Sequence, residues 1–215
     1  MHPNPIYHTK TEVQNLAFAA ERAFGVLAVN GPDGPLAAHV PFTLAPDGKS
    51  LTLHLVRSNP IARGLADPRA AVIAVSGPDS YVSPDWYGLD DQVPTWNYTA
   101  VHLRGRLIGL PQDDLGTVLA ELSAQFEARL LPKTPWTMDK MTPDVLSRMM
   151  RMIVPARMEI DTVDGTWKLN QNKSDAARVG AAAGIRAARL GQETDALADL
   201  MMAALDDDRT KGSDQ

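Results

Sequence analysis

The sequence predicts a mainly β fold, a small barrel of about six strands with helices flanking it. Three observations carry this. Apolar and polar residues alternate at a period of two, most clearly in LTLHLVR (51–57). The turn-forming stretches GPDG and APDGKS separate neighbouring apolar runs. Helical spacing appears near the N-terminus, after Pro111 and again toward the C-terminus. The chain has 215 residues, 44% of them apolar, enough for one domain with a real core plus appendages.

Taken in order, Thr9-Lys10-Thr11-Glu12 has capping-box spacing. Val13, Leu16, Ala17, Ala20 and Phe24 follow at helical intervals, so 10–22 reads as a first helix. GVLAVN, PLAAHVPFTL and LTLHLVR then form a meander, in which Leu51, Leu53 and Leu55 share a buried face opposite His54. SNPIARGLADP reads as a short helix or turn, with Asn59 as cap and Pro60 at the first helical position. AAVIAVSG (70–77) and TAVHLRGRLIGL (99–110) are further strands. The segment between them, PDSYVSPDWYGLDDQVPTW, is too long for a turn, and such loops serve function or an interface.

Leu115, Val118, Leu119, Leu122 and Phe126 mark an amphipathic helix over 112–130, with Asp113 and Asp114 at the positive end of its dipole. Thr142-Pro143 opens another helix. ARMEIDTV, a DG turn and TWKLNQN predict a returning hairpin over 156–172. From Ser174 two helices follow, broken at Gly191 and restarted at Thr194, and the polar stretch 206–215 reads as a frayed tail. The expected organisation is therefore a barrel domain with inserted helices over 1–173, a helical extension over 174–205, and the tail. No internal repeat is present.

Several function classes recede. The formal net charge of −5 argues against a surface devoted to polyanions, so any DNA contact needs a local basic patch. Arg178, Arg186 and Arg189 supply the best candidate, since on an ideal helix they share one arc; a solvated face is the plainer reading. The absence of cysteine excludes a disulfide framework, a thiolate metal site and a thiol nucleophile. With no signal-like segment and no apolar run of membrane-spanning length, the expectation is a cytoplasmic protein. The five histidines form no HxH or HExxH pair, so no metal site is expected. Neither a GxSxG context, a P-loop nor a GxGxxG fingerprint occurs, and no catalytic residue can be assigned.

Three segments remain as candidates. HLVRSNP (54–60) ends a strand with Arg57, Ser58 and Asn59 and is followed by Arg63, a set able to seat a phosphate, or else a helix cap beside surface charges. Tyr81, Trp86, Tyr87, Trp96 and Tyr98, close to Thr95 and Asn97, could stack on a flat heterocycle or form a dimer interface. WKLNQNKS (167–174) could hydrogen-bond a polar edge, or could simply end a strand and cap the next helix at Ser174.

In this order HLVRSNP, GPDSYVSPDWY, VPTWNYTAVHLRG and WKLNQNKS resemble the PaiB-type family of FMN-binding negative transcriptional regulators, over nearly the whole chain. The resemblance implies a six-stranded split β-barrel, related to pyridoxamine phosphate oxidases and flavin reductases, with flavin sites at the boundary of a homodimer. It places His39, Val40, Pro41 and Phe42 along the isoalloxazine and Arg57, Ser58, Asn59 and Arg63 near the phosphate. Trp96, Asn97 and Lys173 would close the site. It implies FMN as cofactor and a flavin-responsive repressor as function. The alternatives are a flavin-dependent oxidoreductase, for which the cofactor carries the chemistry, and a haem protein using His39, His54 or His102.

Overall fold

The computed structural model describes residues 1–212, with side chains through Leu205. The helices are α1 (Glu12–Arg22), α2 (Pro60–Arg63), α3 (Leu115–Glu127), α4 (Pro143–Met150), α5 (Asp175–Ala188) and α6 (Thr194–Gly212). The strands are β1 (Phe24–Gly31), β2 (Gly34–Leu44), β3 (Ser50–Val56), β4 (Arg69–Val82), β5 (Thr95–Gly109), β6 (Ile153–Lys168) and β7 (Gly191–Gln192). Their order is β1-β2-β3-β6-β5-β4-β7, and β1 also pairs with β4, so six strands close into a ring with β7 outside it. The β1–β2, β2–β3, β3–β6, β1–β4 and β4–β7 pairs are antiparallel. The mainly β expectation holds.

The chain falls into two compact units. One comprises 13–75 and 102–163. Its core follows the period-two pattern: Leu27 and Val29 on β1, Val40 and Phe42 on β2, Leu51, Leu53 and Leu55 on β3, Leu103 and Leu107 on β5, and Met158 on β6 are all buried. α3 packs on β2 and β3 and buries Leu115, Val118 and Leu122, as its spacing predicts. At Gly105 the backbones approach closely, because a Cβ there would lie 1.8 Å from the Glu159 carbonyl oxygen. Only a residue without a side chain lets β5 meet β6 at that point.

The other unit comprises 1–12, 76–101 and the chain from 164 onward. Its core is built by α5 and α6, through Ala177, Ala181, Ala182 and Ile185 facing Leu197, Ala198 and Met201, together with Tyr7, Tyr87, Trp167 and Leu169. β7 adds to β4 through Asp79↔Gln192 and Ser80↔Gly191.

Three expectations change. The segment 78–96, expected as one long loop, is shortened from both ends, since β4 runs on to Val82 and β5 begins at Thr95. The DG turn predicted within 156–172 does not form: Asp164 and Gly165 lie inside β6, which runs unbroken from Ile153 to Lys168. Its first half is drawn into register with β3, from Val56↔Ile153 to Ser50↔Glu159, and does not fold back on its own second half. Tertiary pairing overrides the local turn signal. The first helix begins at Glu12, which puts Glu12 in the first turn instead of three residues inside it, so Thr9 is not its cap. Of the tail, 206–212 continues α6, and 213–215 lie outside the described residues. Among the described residues no helix is long and apolar enough to cross a membrane.

His54 lies on the outer side of β3, half-buried, and its buried Nδ1 has no hydrogen-bond partner among the described residues. Desolvation holds its pKa below the ordinary 6.5. The folded state therefore favours the neutral ring, and the unfolded chain binds the proton first as pH falls. Stability present above pH 6.5 is lost as pH drops through the lowered folded value. Urea midpoints measured from pH 7 to pH 5 should fall more steeply for the wild type than for His54→Phe, and equal slopes would contradict this. Gly105→Ala should cost about 1–3 kcal/mol of unfolding free energy by forcing β5 from β6, read from the same melts.

Candidate functional site

On β2 the alternation of the strand decides which predicted residues reach solvent. Val40 and Phe42 point into the core, 2% and 0% exposed. His39 is exposed and Pro41 half-exposed on the opposite face. The His39 ring stacks beside Phe24, with centroids 6.2 Å apart and planes 27° from parallel. The register pairs His39 with Val26 and Pro41 with Phe24, and Val26 pairs onward with Ala74. A flat apolar patch therefore surrounds one imidazole, and Val40 and Phe42 border it through their backbone alone.

The four residues expected near a phosphate divide into two pairs. Arg57, though exposed, is a staple between segments: its Nε donates to the Arg151 carbonyl at 2.9 Å, and its Nη2 donates to Gln112 Oε1 at 2.7 Å and to the Ile153 carbonyl at 3.4 Å. Its amide donates to the Met152 carbonyl at 2.8 Å. Asn59 caps α2, its side-chain oxygen accepting from the Ile61 amide at 2.9 Å, with Pro60 next, as the sequence predicts. Ser58 and Arg63 are exposed, and neither side chain has a partner among the described residues. α2 packs on both β2 and β3, so this free hydroxyl and guanidinium belong to the same unit as the His39 face. A hydroxyl and an uncommitted guanidinium are the donor set a phosphate monoester needs.

The other unit holds the aromatic segment. Trp96 is 47% exposed, and Tyr81 meets it edge-on at 6.5 Å while meeting Trp86 edge-on at 6.5 Å as well. Trp86 is seated on α5, where a Cβ on Gly184 would lie 2.3 Å from its ring and one on Gly180 2.3 Å from its carbonyl oxygen. The neighbouring Asn97 is fully buried; its Nδ2 donates to Met201 Sδ at 3.4 Å, while its Oδ1 has no partner among the described residues. Trp96 and Asn97 thus serve different faces of β5, one open and one internal.

WKLNQNKS resolves into separate parts. Asn170 takes a left-handed conformation at φ 63° where the chain leaves β6, a position asparagine tolerates better than most residues. It accepts from the Tyr87 hydroxyl at 3.4 Å. Gln171 braces the same bend, accepting from the Leu169 amide at 2.8 Å and donating to the Trp167 carbonyl. Ser174 caps α5. Lys173 lies 5.0 Å over the Tyr87 ring and donates to Gln92. Lys168 was not singled out by sequence, yet its Nζ donates to Thr95 Oγ1 at 2.5 Å beside the Tyr7 ring, and burial lowers its pKa. Neither lysine has a carboxylate partner among the described residues. No spacing rule signals this, because Tyr7, Thr95 and Lys168 meet only in the folded chain.

The basic arc does not form. Arg178 is 3% exposed, inside the α5–α6 core. Arg186 pairs with Asp199 at 2.5 Å and Asp195 at 4.0 Å, and Arg189 with Asp195 at 3.7 Å. The first turns of α6 set carboxylates beside the two exposed arginines, which lowers the positive charge that face offers a polyanion.

Residues 1–162 match the family described as "Putative FMN-binding domain". The chain is 29% identical over 174 residues to the protease synthase and sporulation protein PAI 2 of Bacillus subtilis, covering 80% of this chain and 83% of that one. Among solved structures, it resembles the FAD and heme binding protein of Mycobacterium smegmatis at a TM-score of 0.53 with 19% identity, covering 82% and 78% of the two chains. It also resembles the flavocytochrome Anf3 of Azotobacter vinelandii at a TM-score of 0.50 with 10% identity, covering 74% and 68%.

Trp96→Ala should change unfolding free energy by no more than about 0.5 kcal/mol, whereas Asn97→Ala should cost about 1–2 kcal/mol, because only the second opens a buried space. Thermal melts of the two variants decide this, and equal losses would contradict the assignment of open and internal faces.

Proposed function

Since the chain belongs to the family of FMN-binding domains that its residues 1–162 match, with FMN the cofactor this membership assigns, we propose that it is a split-barrel flavoprotein acting as a flavin-responsive negative transcriptional regulator. The observation that carries the flavin half is the pairing, within one unit, of an exposed apolar face around His39 and Pro41 with the unpartnered side chains of Ser58 and Arg63. In this reading His39 and Pro41 border the ring system and Ser58 and Arg63 hold the phosphate. Arg57 and Asn59 act one step back: Arg57 ties the end of β3 to the start of β6, and Asn59 sets the first turn of α2, which carries Arg63. Trp96, Asn97 and Lys173 belong to the other unit, and their part in flavin binding rests on the family resemblance alone. A bound flavin supplies reversible one- or two-electron transfer.

The active form is proposed as a homodimer. Phe24 is 51% exposed and Trp96 47%, and aromatic residues left open in this way are enriched where subunits meet. The regulatory half rests on the family resemblance of VPTWNY and WKLNQNK. Asp195 and Asp199 beside Arg186 and Arg189 weaken the case for these two as a DNA contact. An oxidoreductase is the second reading, favoured by the exposed Trp96 beside a fold that needs no dedicated acid or base for flavin chemistry.

The absorption spectrum of the purified protein, followed by FMN titration, tests the reading. Arg63→Ala and Ser58→Ala should each weaken FMN binding about tenfold, the equivalent of about 1.4 kcal/mol, with melting temperature unchanged. No flavin affinity in the wild type would overturn it. With FMN bound, a shifted promoter fragment supports the regulator, and bleaching of the flavin by NAD(P)H supports the oxidoreductase.

A further inference from the structure

Five of the nine methionines, Met138, Met141, Met149, Met150 and Met152, fall in one stretch of the chain. All five line a single apolar cavity of about 270 Å³, together with Trp136. Met149 and Met152 are 52% and 62% exposed, whereas Met158 and Met201 are wholly buried. With no cysteine in the chain, thioethers are the softest sulfur nucleophiles an oxidant meets.

The same stretch carries structural weight through its backbone. The Met152 carbonyl accepts from the Arg57 amide at 2.8 Å. The carbonyls of Arg151 and Ile153 on either side hold the Arg57 guanidinium. Gln112 Nε2 donates to the carbonyls of Met150 and Ile153, each at 3.2 Å. The methionine wall and the anchor at the end of β3 are thus parts of one junction.

We propose that this cavity is an oxidation site, at which Met149 and Met152 take an oxygen atom from a hydroperoxide and, as sulfoxides, loosen the junction that Arg57 anchors. A sulfur lone pair attacks the terminal peroxide oxygen, an S–O bond forms and the O–O bond breaks. The departing oxygen takes up the proton released from the attacked one and leaves as water or an alcohol. Sulfur loses two electrons and the peroxide gains them. The product is a polar group in a wall whose polar side-chain groups are limited to the Ser123 hydroxyl and the Trp136 indole N–H, so the oxidised side chains turn from the apolar wall toward the solvent they already reach. The inference is independent of the flavin reading.

The test is a hydrogen peroxide titration of the intact protein, with sulfoxide at each methionine mapped by mass spectrometry. Met149 and Met152 should oxidise before Met202, which is 36% exposed but lies outside the cavity, and well before Met158 and Met201. Tryptophan fluorescence should change in step, and Trp136→Phe should abolish that change. Hydrogen exchange at the Arg57 amide should quicken about tenfold on oxidation. Methionine sulfoxide reductase should reverse both signals. A Met149→Leu, Met152→Leu double variant, which conserves volume, should keep the unoxidised exchange rate in peroxide. Met202 oxidising as fast as Met149 and Met152 would overturn the proposal. So would an Arg57 amide that exchanges at the same rate before and after oxidation of the wild type.

Discussion

The double pairing of β1 governs what the rest of the larger unit can do. Val26 faces His39 on one side and Ala74 on the other, so β1 has no free edge along that stretch. Closure removes the unpaired backbone that an open sheet would expose, and it also locks the register. A slip of one residue would turn Val40 and Phe42 outward and His39 inward. The orientation of every candidate on β2 follows from that constraint, as does the need for Gly105, where the ring brings β5 hard against Glu159.

Given a locked register, side chains near the end of β3 sort by whether the fold has already used them. Arg57 would be read as a ligand group by charge alone, yet three carbonyl oxygens and one side-chain amide oxygen receive its N–H groups, counting its amide. Asn59 likewise spends its oxygen on the first turn of α2. Ser58 and Arg63, less conspicuous in sequence, have no side-chain partner among the described residues. In the proposed flavin site, recognition falls to the groups the scaffold leaves over, positioned by those it consumes.

The smaller unit follows the same economy with different materials. Trp86 keeps its place because α5 presents Gly180 and Gly184 to it, and Tyr81 then spans Trp86 and Trp96. Lys168 and Lys173 are held by a hydroxyl, an amide and two rings, with no carboxylate to offset them among the described residues. Burial of Lys168 among neutral partners accounts for its lowered pKa. The cations of α5 have the opposite fate, since α6 brings Asp195 and Asp199 to Arg186 and Arg189.

Sequence by itself determined what depends on neighbours along the chain. The period-two burial of Leu51, Leu53 and Leu55, the cap at Asn59 with Pro60 behind it, the apolar stripe of α3 and the cap at Ser174 are all local, and all are as the residues predict. The tertiary structure alone decided whatever needs a distant partner. Asp164-Gly165 is a turn in isolation and a strand here, because β3 pairs with the residues that would have folded back. Arg57 meets Arg151 and Gln112, Thr95 meets Lys168, and Arg178 disappears into a helix pair. Charge and hydrogen-bonding capacity can be read from a residue's name, but whether they remain available depends on what the fold brings within 3 Å or so of them.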